Sequence, residues 1–125
     1  MIGNKHLWSE CMMNEEMEKR ISPEEYDINT ARFVSEFGYP GPCVKESIER
    51  YLDGKPLDRD GYLWSHHNNT FEKNTVEAGI TKHYRDAVRL GTEDYLLYAS
   101  LCQGMMLNYS IGSMLAAEHC AGSLY

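Results

Sequence analysis

The sequence predicts a slice of a parallel α/β fold, and three observations carry that prediction. Arg32-Phe33-Val34-Ser35-Glu36-Phe37 brings aromatic and β-branched residues together and stops at Gly38-Tyr39-Pro40-Gly41-Pro42, a strand ended by turn formers. Cys120-Ala121-Gly122-Ser123-Leu124-Tyr125 is a second strand-like run. The chain between them reads mostly as helix. Two strands so far apart make no stable sheet alone, whereas strand, helices, strand is the order of a parallel α/β fold. The sequence also ends inside an apolar run, where a chain end is normally polar, so the expectation is a segment of a larger domain.

The elements follow in order. Ser22-Pro23-Glu24-Glu25 is a helix start with Ser as N-cap, Pro at the first position and Glu at the third. It leads only into Tyr26-Asp27-Ile28, which limits it to a single turn. After the first strand, Pro42 opens a helix in which Val44, Ile48, Tyr51 and Leu52 share one face, and Gly54 suits its C-terminal cap. Residues 53–70 are polar and predict a loop, holding the cluster Trp64-Ser65-His66-His67-Asn68-Asn69. Residues 71–90 carry a weak helical pattern interrupted by Gly79 and closed by Gly91. Thr92 caps the longest element, over 93–118, with Leu97, Leu101, Met105 and Met114 or Leu115 on one side and small residues (Ser100, Gly104, Gly112, Ala116) forming patches open to a close-packed backbone.

Composition narrows the function classes. Twelve basic against 19 acidic residues leave a formal charge of −7, which disfavours a nucleic-acid surface. No stretch approaches the roughly 18 apolar residues of a membrane span. Residues 1–20 carry charges throughout and lack the apolar core of a secretory signal, which favours the cytoplasm while leaving the compartment open. The length predicts one domain at most. Cys11, Cys43, Cys102 and Cys120 contain no CxxC pair, so neither a zinc ribbon nor a thioredoxin-like motif is encoded and free thiols are expected, with Cys102 and Cys120 as small buried hydrophobes. The methionines read as core filling. His83 and His119 read as surface or capping groups on helices. Asn68-Asn69-Thr70 and Asn108-Tyr109-Ser110 have the form of glycosylation sequons, the second inside the long helix.

Glu36 is the residue whose surroundings are least ordinary: a carboxylate in an apolar strand, immediately before a tight turn. Burial of an unpaired carboxylate is unfavourable by several kcal/mol, so either it sits at an edge facing water or it has work to do.

The segment Arg32-Phe33-Val34-Ser35-Glu36-Phe37-Gly38-Tyr39 resembles the nucleophile strand of family 2 glycoside hydrolases, above all the β-mannosidase branch. Three further segments resemble that family in the same order. His6-Leu7-Trp8 is similar to the His-aromatic segment ahead of the nucleophile strand. His66-His67-Asn68 is similar to a His-His segment in the loop after it. Tyr98 to Gln103, then Cys120 to Tyr125, resemble the closing helix and strand. The resemblance covers nearly the whole chain.

What it implies is a fragment of a (β/α)8 barrel containing about its last two strands with mostly helical connections, residues 1–125 running from the nucleophile strand through the last strand and truncated at both ends. The activity implied is retaining hydrolysis of terminal β-linked sugars, with Glu36 as the nucleophile and no cofactor or metal. The partners implied are a carbohydrate substrate, the rest of the barrel and flanking β-sandwich domains, with no nucleic acid and no membrane. Trp8, His6, His66 and His67 are the implied substrate-binding residues. Read from the residues alone, Trp8 is equally an ordinary packed indole, and the His pair is equally a solvated loop pair; two adjacent His without a third ligand are a weak metal signal. The family's acid/base follows an Asn on a distant strand. Asn14-Glu15 has that dipeptide but lies in a polar, Met-rich stretch close to the nucleophile strand, so this chain is expected to hold half a catalytic pair and to be inactive alone. The alternative is a self-contained helical interaction module without catalysis, binding a partner through the small-residue stripe of the long helix.

Overall fold

The computed structural model describes residues 2–68 and 70–124. Its element order is β1 (Ile2–His6), α1 (Met17–Arg20), a 3-10 helix (Pro23–Ile28), β2 (Ala31–Glu36), α2 (Lys45–Leu52), α3 (Tyr62–His67), α4 (Thr70–His83), a 3-10 turn (Ala87–Arg89), α5 (Thr92–Ala116) and β3 (Gly122–Ser123). The chain divides into two compact units, residues 1–39 with 103–125, and residues 40–102.

The first unit carries the sheet. Its order is β1-β2-β3, and both pairings are parallel. The two strand-like runs read from the sequence are thus parallel neighbours, with Phe33 opposite Gly122 and Val34 opposite Ser123. The barrel fragment with about two strands is corrected: three strands form an open sheet, and among the described residues no barrel wall is built. A barrel needs a full circuit of tilted, staggered strands, whereas here β1 and β3 remain edges. The strand absent from the sequence reading is β1, whose Gly3, Asn4 and Lys5 are poor strand formers; it is held by its ladder to β2. Ala31 and Val34 of β2 are fully buried, as are Leu7, Cys11, Tyr26, Met106 and Ser110 in the same unit. The Tyr26 hydroxyl donates to the Gly38 carbonyl at 2.8 Å, and the Gln103 amide donates to the Tyr39 carbonyl at 2.9 Å, fixing the turn that follows β2. Ser22 occupies the cap position of the 3-10 helix, yet its hydroxyl donates back to the Glu18 carbonyl instead of capping.

The second unit is helical around one apolar cluster of Ile48, Leu52, Trp64, Val76, Ile80, Ala87, Tyr95, Leu96 and Ala99. In α2, Ile48 and Leu52 are buried while Tyr51, and Val44 at the N-cap before it, are exposed, so only half of the expected stripe faces the core. Asp53 ends α2 in the left-handed region and Gly54 follows at φ 77°, the stop that glycine makes inexpensive. The expected loop over 53–70 contains a helix, α3, because Trp64 is drawn into the cluster and its turn closes behind it. The guanidinium of Arg59 lies 4.2 Å over the Tyr95 ring and donates to the Leu90 carbonyl at 2.6 Å, tying the preceding loop to the same core.

Helix α5 runs 25 residues, with Glu93 and Asp94 in its first turn where the helix dipole favours acids. Its buried face is Tyr95, Leu96, Ala99, Cys102, Met106, Ser110 and Met114; Leu97, Leu101 and Leu115 are exposed. The expected stripe is therefore split: Leu97, Leu101 and Leu115 lie on the outer side, Met105 is half-buried and Met114 is buried. No charge occurs from Tyr95 to Ala117 to mark which face meets water, so apolar spacing alone did not resolve it. His119 lies beyond this helix, with Nε2 2.9 Å from the Asn29 carbonyl.

Candidate functional site

β1 and β2 run in the same direction, so their last residues, His6 and Glu36, reach the same sheet edge. Their alignment depends on an irregularity. Lys5 pairs with Val34, but His6 pairs with Glu36, leaving Ser35 as one extra residue in β2. A bulge of this kind breaks the strict alternation of side chains and re-aims the next one. The ladder then resumes, with the Leu7 amide donating to the Glu36 carbonyl at 2.8 Å. The Ser35 hydroxyl is buried and has no hydrogen-bond partner among the described residues.

Beyond β1 the chain turns tightly. The amides of Cys11 and Met13 both donate to the Trp8 carbonyl, at 3.3 and 2.7 Å, which fixes the base of the indole. Trp8 Nε1 then donates to Glu36 Oε2 at 2.9 Å. His6 Nδ1 lies 3.3 Å from the same oxygen, an ion pair whenever the imidazole is protonated. Both side chains are about half exposed, 53% for His6 and 52% for Glu36, so the carboxylate stands at the protein–water boundary rather than in the core. The Oε1 atom carries no partner among the described residues. One oxygen is oriented and the other is open.

Two polar side chains of the turn that follows Trp8 are otherwise engaged. Glu10 Oε1 lies 2.5 Å from Lys5 Nζ, and that contact, ahead of any other influence, holds the Glu10 carboxyl below its ordinary range. Asn14 spends its side chain on the turn, donating to the Ser9 carbonyl at 3.2 Å and accepting from the Glu16 amide at 2.9 Å.

The structure thus brings together three of the sequence-predicted residues, Glu36, Trp8 and His6. The other two, His66 and His67, belong to the second unit and to α3. Their rings contact each other, with Tyr62 beside His66 and Tyr51 beside His67. The sequence reading missed Ser35, Tyr26 and Gln103 as supports of the Glu36 segment. It also missed Tyr51 and Tyr62 as companions of the histidines, although Tyr62 and His66 stand four residues apart, the spacing of helical neighbours.

The four cysteines are free thiols; Cys11 and Cys102 are buried, Cys120 is half-buried and Cys43 is exposed. Burial pushes the Cys11 thiol up to about 12, assisted by the charges of Glu10 and Glu25, and its Sγ faces the Glu25 carbonyl at 3.5 Å. Of the two sequon acceptors, Asn68 is half-buried at the end of α3 and Asn108 is exposed on α5, while Asn69 lies outside the described residues. Among the described residues no three His, Cys, Asp or Glu side chains are placed to hold a metal, and no helix is long and apolar enough to cross a membrane. Compared with models of known protein families, with curated proteins and with solved structures, the chain has no match in any of the three.

Proposed function

We propose that Glu36 is the nucleophile of a retaining β-glycosidase of the β-mannosidase-like kind, acting on terminal β-linked sugars. The observation that carries this reading is the asymmetric hold on its carboxylate at the C-terminal edge of parallel strands: Oε2 receives the Trp8 indole N–H while Oε1 is open. Ligands of open parallel sheets sit outside that edge. A carboxylate aimed by one donor and open at its other oxygen is suited to attack.

In the proposed reaction, Glu36 Oε1 attacks the anomeric carbon and the bond to the leaving oxygen breaks, that oxygen taking a proton from a carboxylic acid. Charge on the Glu36 carboxylate falls as the glycosyl ester forms. Water, deprotonated by the same second carboxylate, then displaces Glu36 and restores it, and two inversions give retention. The acid must stand about 5–5.5 Å from the nucleophile and hold its proton near neutrality. Glu10, held below its ordinary range by Lys5, does not suit that role. We assign the acid to a group outside these 125 residues, which makes the chain alone inactive on ordinary glycosides.

The test avoids that missing acid. A 2-deoxy-2-fluoro-β-mannosyl fluoride has a leaving group that departs without protonation, so Glu36 can be glycosylated unaided. Peptide mass spectrometry is expected to place the label on Glu36 and to find none in Glu36→Gln. Labelling elsewhere, or equal labelling of the variant, overturns the assignment.

One observation favours the interaction-module reading instead: α5 exposes Leu97, Leu101, Ile111 and Leu115 on a stretch without charges. On that reading Leu115→Lys disrupts association while Glu36→Gln is silent.

A further inference from the structure

The outer face of α5 is apolar, uncharged and symmetric along the helix. Leu97, Leu101, Ile111 and Leu115 are 55%, 46%, 37% and 78% exposed, and no residue from Tyr95 to Ala117 carries a charge. Gly104 and Asn108 stand between the two apolar pairs on the same face, and both are exposed. The steps along this face, four, three, four, three and four residues, are those of a heptad seam. Read outward from Met106, the six positions mirror one another. Gly104 and Asn108 lie two residues away, Leu101 and Ile111 five, Leu97 and Leu115 nine. Such a strip is matched by its own reverse. Gly104 also leaves a notch, since a Cβ placed there would meet nothing within 4 Å. The Asn108 side chain has no hydrogen-bond partner among the described residues.

We propose that this face seats α5 of a second copy of the chain, antiparallel, about a twofold axis at the level of Met106. Leu97 then packs on Leu115 of the second copy and Leu101 on its Ile111, and the axis repeats each contact. Asn108 enters the notch at Gly104 of the second copy, where the bare backbone carbonyl offers a second lone pair to the side-chain amide. This names the partner for the reading of α5 as an association surface, on which it rests, and it is independent of Glu36. Size selects a helix as the occupant. From Leu97 to Leu115 the strip is about 27 Å long and about 10 Å wide, the breadth of one helix. Charge selects a copy. Each chain carries −7, and two such chains approach without like charges meeting only along an uncharged strip. The footprint is about 270 Å², well under the roughly 800 Å² per partner of a standard stable interface. The dimer is accordingly weak, with a dissociation constant of about 10–500 µM.

Sedimentation equilibrium of the full chain, from about 10 µM to about 1 mM, tests this. The average mass is expected to rise toward twice that of the monomer. Leu97→Lys and Leu115→Glu are each expected to weaken self-association about tenfold or more. An equimolar mixture of the two is expected to regain it, because antiparallel seating sets position 97 of one chain against position 115 of the other, where the new charges are opposite. Gly104→Gln fills the notch with a better helix former. It is expected to abolish the dimer while leaving the urea midpoint unchanged or raised, which separates lost association from lost folding. A mass that stays monomeric to about 1 mM overturns the second copy as partner. Single variants that weaken the dimer without rescue on mixing overturn the antiparallel seating. A dimer that all three variants leave intact overturns α5 as an association surface altogether.

Discussion

Trp8 and Glu36, 28 residues apart, are joined by a single hydrogen bond from the indole nitrogen to one carboxylate oxygen at 2.9 Å. The bond orders a side chain that is half exposed and would otherwise sample several rotamers. The donor itself is anchored through the backbone of its own turn, so the orientation of Glu36 is set by two strands and a turn together.

Trp8→Phe removes the donor and keeps an aromatic ring. A hydrogen bond to a charged group contributes about 1.5–3 kcal/mol when sheltered, and solvent at this half-exposed site reduces that to about 1 kcal/mol. Labelling of Glu36 by the fluorosugar is expected to slow about fivefold, and stability read from the urea midpoint to fall by no more than about 1 kcal/mol. An unaltered labelling rate counts against a positioning role for the indole.

Ser35→Ala is expected to be neutral or stabilising, by up to about 1 kcal/mol, because the hydroxyl it removes is buried without a partner among the described residues. Urea unfolding of the two proteins decides it. A loss above about 1 kcal/mol would mean that the hydroxyl is satisfied in solution.

Ile48→Ala empties the centre of the helical cluster, where the side chain is fully buried. The expected loss is about 2–5 kcal/mol, read from the urea midpoint. In the other unit, Tyr26→Phe deprives the Gly38 carbonyl of its donor and is expected to cost about 1–2 kcal/mol.

Alkaline pH is expected to destabilise the fold before any backbone chemistry intervenes. Burial raises the Cys11 thiol from 9.0 to about 12, and burial with the nearby Glu77 charge raises the Tyr95 phenol from 10.0 to about 12. Both groups keep their protons longer folded than unfolded. Their contribution is therefore complete below about pH 9 and is lost as pH rises toward 12. Thermal melts at pH 8, 10 and 11 check this, and an unchanged melting temperature at pH 11 refutes it. At pH 8 the exposed Cys43 is expected to react first with a disulfide reagent, and Cys11 to stay silent until unfolding.

What the sequence disclosed, and what it withheld, follows from how local each signal is. β2 was legible because Phe33, Val34 and its turn formers lie within ten residues of one another. The start and length of α5 were legible from Thr92 and a long run without proline, although Gly104 and Gly112 fall within it. The face of α5 was not, since an uncharged helix has no polar side to read. β1 escaped because Gly3, Asn4 and Lys5 have no strand preference and the pairing is supplied by a partner far along the chain. Trp64 looked like a loop residue amid Ser, His and Asn until the cluster that buries it was assembled. In the candidate site, the unusual setting of Glu36 was legible and its geometry was not: neither the extra residue at Ser35 nor the indole bond leaves a mark in residue spacing.

The extra residue in β2 has a consequence for how this site can change over generations. Removing Ser35 would let the ladder close without interruption: Glu36 would stay opposite His6, but the side chain that the bulge re-aims would return to the strict alternation of the strand. Every residue of the site would still be present. The direction of the carboxylate is therefore written in the length of the strand as much as in its composition, and it is exposed to loss by a single codon deletion that no substitution scan would sample.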